Sequence, residues 1–339
     1  MSYEGSRFSV TVDLALSSPQ ATFSDGGFSV ARDTLSGIEN VIGSGGGDTL
    51  KGDAAANRLT GGEGYDTLMG RMGDDVLDGG SLSDTASYAD AAAGVTVDLG
   101  IAGPQETGEG ADTLISIENL TGSAFADVLK GDSGTNHLSG GAGDDILVGR
   151  GGSFDVLDGG EGIDTASYAD AASGLNLDLR TSSALFRIEN LIGSAFADTL
   201  VGSDGANALS GNAGNDVLIG GLGRDALTGG AGADRFVFYD LAESASGATS
   251  RDVITDFQAG VDDIDLRVFH APGSYVNFQF VGTRGFGGKV GQLRYETIDQ
   301  PGTTNDLTVV SGDIDGDRVA DFEIELSGIV QLTKNDFLL

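Results

Sequence analysis

The strongest pattern of apolar and polar positions in this chain is a nine-residue phrase that repeats without a gap from residue 193. Its five copies read GSAFADTLV, GSDGANALS, GNAGNDVLI, GGLGRDALT and GGAGADRFV. Each copy begins with Gly, has Asp or Asn in sixth place and has an apolar residue in eighth place. The last three places alternate outward, inward and outward, which predicts a short strand with its eighth residue in a core. Glycine in the first, second and fourth places accepts positive φ, which predicts a tight turn before each strand.

A turn and a strand in every nine residues predict a coil of parallel strands. If two phrases complete one coil, the sixth places of phrases n and n+2 stack along one edge, about 4.8 Å apart. Two carboxylates at that separation repel each other. A hard divalent cation between them, with turn carbonyls completing its oxygen shell, converts this repulsion into attraction. The pattern therefore predicts sites for hard divalent cations at the stacked turns.

The same phrase fills two earlier blocks, and Asn holds the sixth place of the second phrase in every block. An Asn side chain offers a carbonyl oxygen without charge, so its ions are expected to bind more weakly. One phrase of the second block has ten residues, GRGGSFDVLD, which predicts a bulged turn and a distorted site at Asp155. The predicted sixth-place ligands are Asp48, Asn57, Asp66, Asp75 and Asp84, then Asp127, Asn136, Asp145, Asp155 and Asp164, and finally Asp198, Asn207, Asp216, Asp225 and Asp234.

The eighth places predict the core of the coil. They are Leu in most phrases, but the fifth phrase has Ala86 in the first block and Ala166 in the second. Both alanines are followed by SYAD, so Tyr88 and Tyr168 are expected to fill the space that the short side chain leaves. In the third block this place is Phe236, which we expect to close the end of the coil, because a repeat protein must cover its last core layer.

Two further strand patterns recur ahead of the blocks, so the repeating unit is longer than nine residues. VTVDL at 10–14 returns at 95–99 and as LNLDL at 175–179, and IEN returns from residues 38, 117 and 188. After residue 239 the phrase stops; residues 240–251 suggest a surface loop, and alternating segments then suggest antiparallel strands. The predicted organisation is an N-terminal strand segment (1–42), block 1 (43–87), inter-block strands (88–121), block 2 (122–167), inter-block strands (168–192), block 3 (193–238) and a C-terminal cap with an export signal (239–339).

The phrase resembles GGxGxDxUx, the calcium-binding nonapeptide of the RTX, or haemolysin-type, proteins. Residues 229–339, with DVITDFQAGVDDIDL and a terminal DFLL, resemble the C-terminal domain of the serralysin-type (peptidase M10) metalloproteases. The resemblance implies an all-β fold, a parallel β-roll with a C-terminal β cap, that binds multiple Ca²⁺ ions. It also implies type I export, with the address in the C-terminal region. The turn glycines that it implies at the metal are Gly62, Gly64, Gly141, Gly143, Gly221 and Gly223.

A second acidic motif lies outside the phrases. Asp313, Asp315 and Asp317 have the alternating spacing of a carboxylate calcium loop. The twelve-residue loop of this kind has Gly in sixth place, where this chain has Arg318, and flanking helical patterns are missing. A calcium site and a plain acidic hairpin are both open interpretations of this segment.

The composition and charge of the chain indicate which partners it can bind. The 339 residues carry a formal charge of −34, with 57 Gly and no Cys. Such an acidic chain is expected to be disordered without metal and ordered with calcium as its counter-ion, and to repel nucleic acid and anionic membranes. The N-terminal residues lack the apolar region of a cleaved signal, and no stretch has membrane-spanning length. We therefore expect an extracellular protein that uses a type I secretion apparatus.

Catalytic motifs are scarce. The zinc helix HExxH and the GxSxG elbow are absent, and the two histidines, His137 and His270, are far apart. His137 is in seventh place of its phrase and is expected to point outward. Chemistry by carboxylates alone stays open, since 52 acidic residues offer many pairs. The sequence favours a non-catalytic calcium-binding protein, either the export and folding module of a larger enzyme or a complete extracellular protein. The alternative is an extracellular polysaccharide-binding or surface-layer protein. The aromatic content of 7% disfavours polysaccharide binding.

Overall fold

The computed structural model describes residues 1–24, 30–150, 155–271, 274–301 and 305–339. These residues form short strands joined by turns, with one 3₁₀ turn at Lys334–Asp336 and no α-helix within the described ranges. The strands of the first half are β1 (Thr11–Asp13), β2 (Gln20–Ser24), β3 (Val30–Asp33), β4 (Asn40–Ile42), β5 (Thr49–Lys51), β6 (Arg58–Glu63), β7 (Thr67–Met69), β8 (Val76–Ser81), β9 (Thr85–Ser87), β10 (Thr96–Asp98), β11 (Gln105–Glu106), β12 (Ala111–Ile115), β13 (Asn119–Thr121), β14 (Val128–Lys130), β15 (His137–Ala142), β16 (Ile146–Val148), β17 (Val156–Glu161) and β18 (Thr165–Ser167).

The remaining strands follow the same spacing as far as the end of the third block. They are β19 (Asn176–Asp178), β20 (Leu185–Phe186), β21 (Asn190–Ile192), β22 (Thr199–Val201), β23 (Ala208–Ser210), β24 (Val217–Ile219), β25 (Ala226–Thr228), β26 (Arg235–Val237), β27 (Val253–Ile254), β28 (Asp263–Asp265), β29 (His270–Ala271), β30 (Ser274–Tyr275), β31 (Gln279–Gly282), β32 (Gln292–Ile298), β33 (Leu307–Asp313), β34 (Phe322–Ser327) and β35 (Phe337–Leu338). The chain divides into two compact units, Met1–Ala166 with Ala184–Ile188, and Ser167–Ser183 with Glu189–Leu339.

In the first unit, strands from alternate phrases pair in parallel. The order β1-β5-β7-β9-β13-β15-β17-β20 forms one sheet, and β4-β6-β8-β12 forms another, to which β11 adds an antiparallel edge. Leu50 lies opposite Leu68, 18 residues later, and Leu68 lies opposite Ala86. Two phrases therefore complete one coil, as the nine-residue period predicts.

The strand that contains IEN connects consecutive blocks of the first unit. β13 pairs on one side with β9, from the first block, and on the other side with β15, from the second block. The odd phrases of the second block form a different sheet that begins at β10 and continues through β14 and β16. The odd strands of block 1 and the even strands of block 2 thus belong to one sheet.

The second unit repeats this arrangement and adds the cap. One sheet has the parallel order β19-β22-β24-β26-β28-β35, and the other continues from β21, β23 and β25 through β27 to β34, β33, β32 and β31. The pairs β32–β33 and β33–β34 are antiparallel, which confirms the predicted antiparallel strands of the cap. The third block forms a parallel β-roll whose two sheets continue into the strands of the cap.

Phe236 is buried but does not close the roll, contrary to expectation. Its strand β26 pairs with β28, and β28 pairs with β35, so the sheet runs two strands further. Phe236 instead packs near Phe257, with ring centroids 6.1 Å apart. The aromatic side chain fills an interior layer of the core.

The core is a narrow column of eighth-place side chains. Leu50, Leu68 and Leu129 are fully buried, and the other leucines at this place are 1% exposed or less. Tyr88 is 4% exposed, as expected for a residue that fills space beside Ala86. Each coil contributes about two such leucines, so the apolar core of a coil is thin.

The segment 240–251 is less exposed than its composition suggests. Arg251 is buried and forms ion pairs with Glu323 (3.1 Å) and Glu325 (2.8 Å) of β34. The hydroxyl of Ser244 donates a hydrogen bond to the carbonyl oxygen of Glu323. Residues 246–249 are exposed, as predicted for a surface loop, whereas these contacts with β34, 70 to 80 positions away in the sequence, bury Ser244 and Arg251.

Candidate metal centre

The sixth-place residues of successive coils are hydrogen-bonded to one another along the edges of each unit. We call each such row of residues a ladder and each bonded pair within it a step. The backbone N–H of Asp48 donates to Oδ1 of Asp66 (2.7 Å), and the N–H of Asp66 donates to Oδ1 of Asp84 (2.8 Å). The predicted stacking of phrases n and n+2 is therefore present. The same bond joins Asn57 to Asp75, Asp127 to Asp145, Asn136 to Asp155, Asp145 to Asp164, Asp198 to Asp216, Asn207 to Asp225 and Asp216 to Asp234.

In many ladder residues the second carboxylate oxygen, Oδ2, is buried and has no hydrogen-bond partner. Each such residue is 2% exposed or less. A buried anionic oxygen without a donor is costly, because it has lost its water and gained nothing in exchange. Within the described part of the chain, Oδ2 has no partner in Asp66, Asp75, Asp84, Asp145, Asp216, Asp225, Asp234 and Asp252.

A carbonyl oxygen from the next coil faces the same space. A Cβ atom placed on Gly61 would collide with Oδ2 of Asp66 and would lie 2.6 Å from the carbonyl oxygen of Gly79. The same pair of oxygens surrounds Gly140 and Gly211. Carboxylate and carbonyl oxygens, without nitrogen or sulfur, are the donors that calcium prefers. The donor set therefore fits the ion that the sequence predicts.

Glycine serves two different purposes in the turns. Gly62 and Gly64, in second and fourth place, have φ values of 112° and 135°, and the other predicted turn glycines, Gly141, Gly143, Gly221 and Gly223, also have positive φ. First-place glycines such as Gly61 are not in the left-handed region. The prediction of positive φ at the first place is wrong: Gly is needed there because a Cβ atom would occupy the space beside the carboxylate.

Burial and mutual repulsion raise the pKa values of the ladder carboxyls. Burial, with the neighbouring charges of Asp48 and Asp84, raises the pKa of Asp66 to about 7. Burial also raises the pKa of Asp145 to about 7 and that of Asp252 to about 8. Without a counter-ion these groups bind protons more tightly than an exposed Asp, which is the electrostatic signature of an unneutralised anionic site.

The opening turn of each block differs from the later ones. In the first block, the backbone N–H of Ser44 donates to Oδ2 of Asp48 (2.5 Å), and its hydroxyl donates to Oδ1 (2.7 Å). Ser123 and Ser194 make the same contacts with Asp127 and Asp198. Both oxygens of the opening Asp are thus partnered inside their own turn, so we expect each ladder of ions to begin one coil later.

Four ladder members were missed by the sequence analysis. Asp112, Glu118, Asp252 and Asp262 accept hydrogen bonds from the backbone N–H groups of Asp75 (3.1 Å), Asp84 (2.9 Å), Asp225 (2.8 Å) and Asp234 (3.0 Å), respectively. Each of the four precedes a buried apolar residue by two positions, as every sixth-place residue does. This acid-x-apolar spacing, with an incomplete set of glycines or none, is the signal that would have found them.

The remaining predicted residues have mixed outcomes. Oxygens of Asp313, Asp315 and Asp317 lie within 4.8 Å of one another, but Asp313 already accepts hydrogen bonds from the N–H groups of Gly316 (2.7 Å) and Arg318 (3.0 Å). Both interpretations of that loop therefore stay open. Asp155 keeps its place in the ladder, and the bulged turn predicted before it falls on residues 151–154, outside the described residues. His137 is exposed, as expected.

Stacked turns of buried carboxylates and carbonyls, on coils of parallel strands, define a calcium-binding β-roll repeat protein. The family model described as RTX calcium-binding nonapeptide repeat (4 copies) matches residues 33–68, 51–86 and 121–153. The family model described as Peptidase M10 serralysin C terminal matches residues 154–339, more than half of the chain. The chain belongs to this serralysin C-terminal family, and calcium is its metal.

Two solved structures resemble this chain only weakly. The solution structure of the AlgE6R3 subunit from the Azotobacter vinelandii mannuronan C5-epimerase is 26% identical, covers 49% of this chain and 77% of its own, and has a TM-score of 0.32. The extracellular lipase LipA from Serratia marcescens is 15% identical, with 91% of this chain matched to 40% of the lipase and a TM-score of 0.21. No curated protein gives a significant match. Among the described residues, none forms a helix that is long and apolar enough to span a membrane.

Proposed function

We propose that this chain is a secreted, non-catalytic module whose fold is created by calcium ions bound between stacked turns. The observation that carries the proposal is the set of buried, unpartnered Oδ2 atoms, all of which except that of Asp252 lie beside a first-place glycine. An ion neutralises two carboxylates in a step that begins at Asp and one carboxylate in a step that begins at Asn. We assign ions to the steps that end at residues whose Oδ2 atom has no partner, Asp66, Asp75, Asp84, Asp145, Asp216, Asp225, Asp234 and Asp252. We also assign ions, from their place in the ladder alone, to the steps that end at Asp155 and Asp164.

Counting bound calcium tests this assignment. We expect Asp66→Asn to remove at least one ion from the folded chain, because Asp66 belongs to the steps that end at Asp66 and at Asp84, and the substitution halves the charge of both. Elemental analysis of the gel-filtered protein at saturating calcium measures the count. Asp204→Asn is the matched control, since Asp204 is exposed in third place of its phrase. An unchanged count in folded Asp66→Asn protein would contradict the assignment.

The absence of catalysis is part of the proposal and is supported by the chemistry of the described residues. The acidic side chains with the largest upward pKa shifts are mostly ladder members, where a cation accounts for them. His137 is exposed, and the ring of His270 packs edge-on against Tyr275 at 4.3 Å. The matched families are a calcium-binding repeat and the C-terminal region of a peptidase family, and neither description is of a catalytic domain.

Type I export through the cap is the second part of the proposal. It is supported by membership of the serralysin C-terminal family and by the acidic, calcium-dependent repeats. Deleting residues 240–339 should stop secretion by cells that carry a type I exporter, while the full chain appears in the medium. Immunoblots of medium and cells measure the partition, and an intracellular blot of the truncated chain controls for its synthesis. Equal secretion of both chains would refute an export role for the cap.

A further inference from the structure

One turn of the first unit is a further copy of the phrase, altered at a single place. Residues 107–115, TGEGADTLI, match the nonapeptide except at the first place, where Thr107 replaces Gly. Gly108 and Gly110 have positive φ values of 103° and 156°, as second- and fourth-place glycines do. The strand that follows, β12, pairs in parallel with β8 of the fourth phrase. This turn is therefore the next step of the ladder after Asp75.

The sixth-place residue of this copy, Asp112, has partners that the regular ladder members lack. Its Oδ1 accepts the backbone N–H of Asp75 at 3.1 Å, as in a regular step. Its Oδ2 accepts two hydroxyl donors, Thr107 Oγ1 at 2.9 Å and Tyr88 Oη at 3.1 Å. Asp112 is completely buried, and Thr107 and Tyr88 are 1% and 4% exposed. Two O–H groups thus fill the position where Asp66 has an unpartnered oxygen beside a glycine.

The backbone of the first-place residue is engaged as well. The carbonyl oxygen of Thr107 accepts the N–H of Thr96 at 3.0 Å, and the N–H of Thr107 donates to the carbonyl of Gly110 at 2.9 Å. In a regular step a first-place carbonyl faces the carboxylate of the preceding coil, as the carbonyl of Gly79 faces Asp66. Burial raises the pKa of the Tyr88 phenol well above its usual value, so the proton that Tyr88 donates is retained. The Thr107 carbonyl oxygen and Oδ2 of Asp112 thus both already have protein donors.

We propose that Thr107 and Tyr88 determine where this calcium ladder stops. Their hydroxyl groups donate to Oδ2 of Asp112, where a regular step would have an ion. The step from Asp75 to Asp112 therefore forms without calcium. Thr107 acts through its side chain, which occupies the space that first-place glycine leaves for the cation in other turns. The inference rests on the proposed function, because it assumes that the regular steps bind ions.

The experiment compares the number of calcium ions in gel-filtered, calcium-saturated full-length variants. Asp112→Asn should leave the wild-type count unchanged, since that step holds no ion. Thr107→Gly, which restores the residue of the regular phrase and removes one hydroxyl, should add one ion. Thr283→Gly, at an exposed position of the cap, is the matched control and should leave the count unchanged. Circular dichroism of each variant checks that it is folded.

Two results overturn the inference while the proposed function stands. One is the loss of an ion in folded Asp112→Asn protein when Asp66→Asn also loses one. The other is an unchanged count in folded Thr107→Gly protein. If Thr107→Gly does not fold, the Asp112→Asn count decides alone. A wild-type chain that binds no calcium refutes the proposed function, and the inference falls with it.

Discussion

Stripping calcium from the purified chain should convert it from β-rich to largely unordered. Without ions, the ladders place carboxylates about 5 Å apart, and each close pair costs on the order of 1 kcal/mol in water and more where it is buried. Each coil offsets this with about two buried leucines, at roughly 1.5 to 3 kcal/mol apiece, against the entropy of ordering some eighteen residues. Ions that bind only the folded turns add their binding free energy to its stability.

Circular dichroism after chelation, followed by a calcium titration, measures this transition. The β signal should return in one cooperative step. Magnesium should fail to restore it, because its small octahedral shell fits a cage of carboxylate and carbonyl oxygens poorly. A chelated chain that keeps its full β signal and its thermal transition would show that the metal binds to a fold that already exists.

Acid should stabilise the fold of the calcium-free chain. Because burial raises the pKa of Asp66 and Asp145 to about 7, the metal-free folded chain binds protons more tightly than the unfolded chain does. Protonation therefore stabilises the metal-free fold at low pH, and this contribution is lost as the pH rises through about 7.

Circular dichroism of the chelated chain at pH 8, 7, 6 and 5 tests this effect. The β signal should be lowest at pH 8 and should rise as the pH falls from 7 to 5. Asp66→Asn should show a shallower dependence, since one titrating carboxyl has been removed. A β signal that is the same at all four pH values would contradict the raised pKa values.

The repeating coil could be predicted from the sequence because its signals are local. Gly62 and Gly64, Asp66 and Leu68 lie within one phrase, and their types indicate turn, ligand and core separately. Register then follows from the period, since Leu50 must meet Leu68 if two phrases make a coil. The predicted ladder of sixth-place residues is correct for this reason.

The irregular members of the site could not be predicted in the same way. Glu118 belongs to a ladder although its turn has no glycine, because strand pairing of β13 with β9 brings it beside Asp84. Thr107 and Tyr88 meet at Asp112 through the fold, 19 residues apart in the chain. The first-place glycine was assigned the wrong purpose, since the reason for it is a carboxylate that only the folded turn brings close.

The shared strand β13 restricts how this protein can change in length. Because β13 pairs with a strand of block 1 and a strand of block 2, excising residues 43–87 alone would leave it without the partner that β9 provides. Removing a full period, from one VTVDL segment at residue 10 to the next at residue 95, brings β10 to the place of β1 and keeps each later strand with its own kind of neighbour. Insertions and deletions that preserve the fold should therefore come in whole units of strand, loop, IEN strand and block. The unit by which this chain can lengthen or shorten during evolution is thus nearly ten times longer than its calcium-binding phrase.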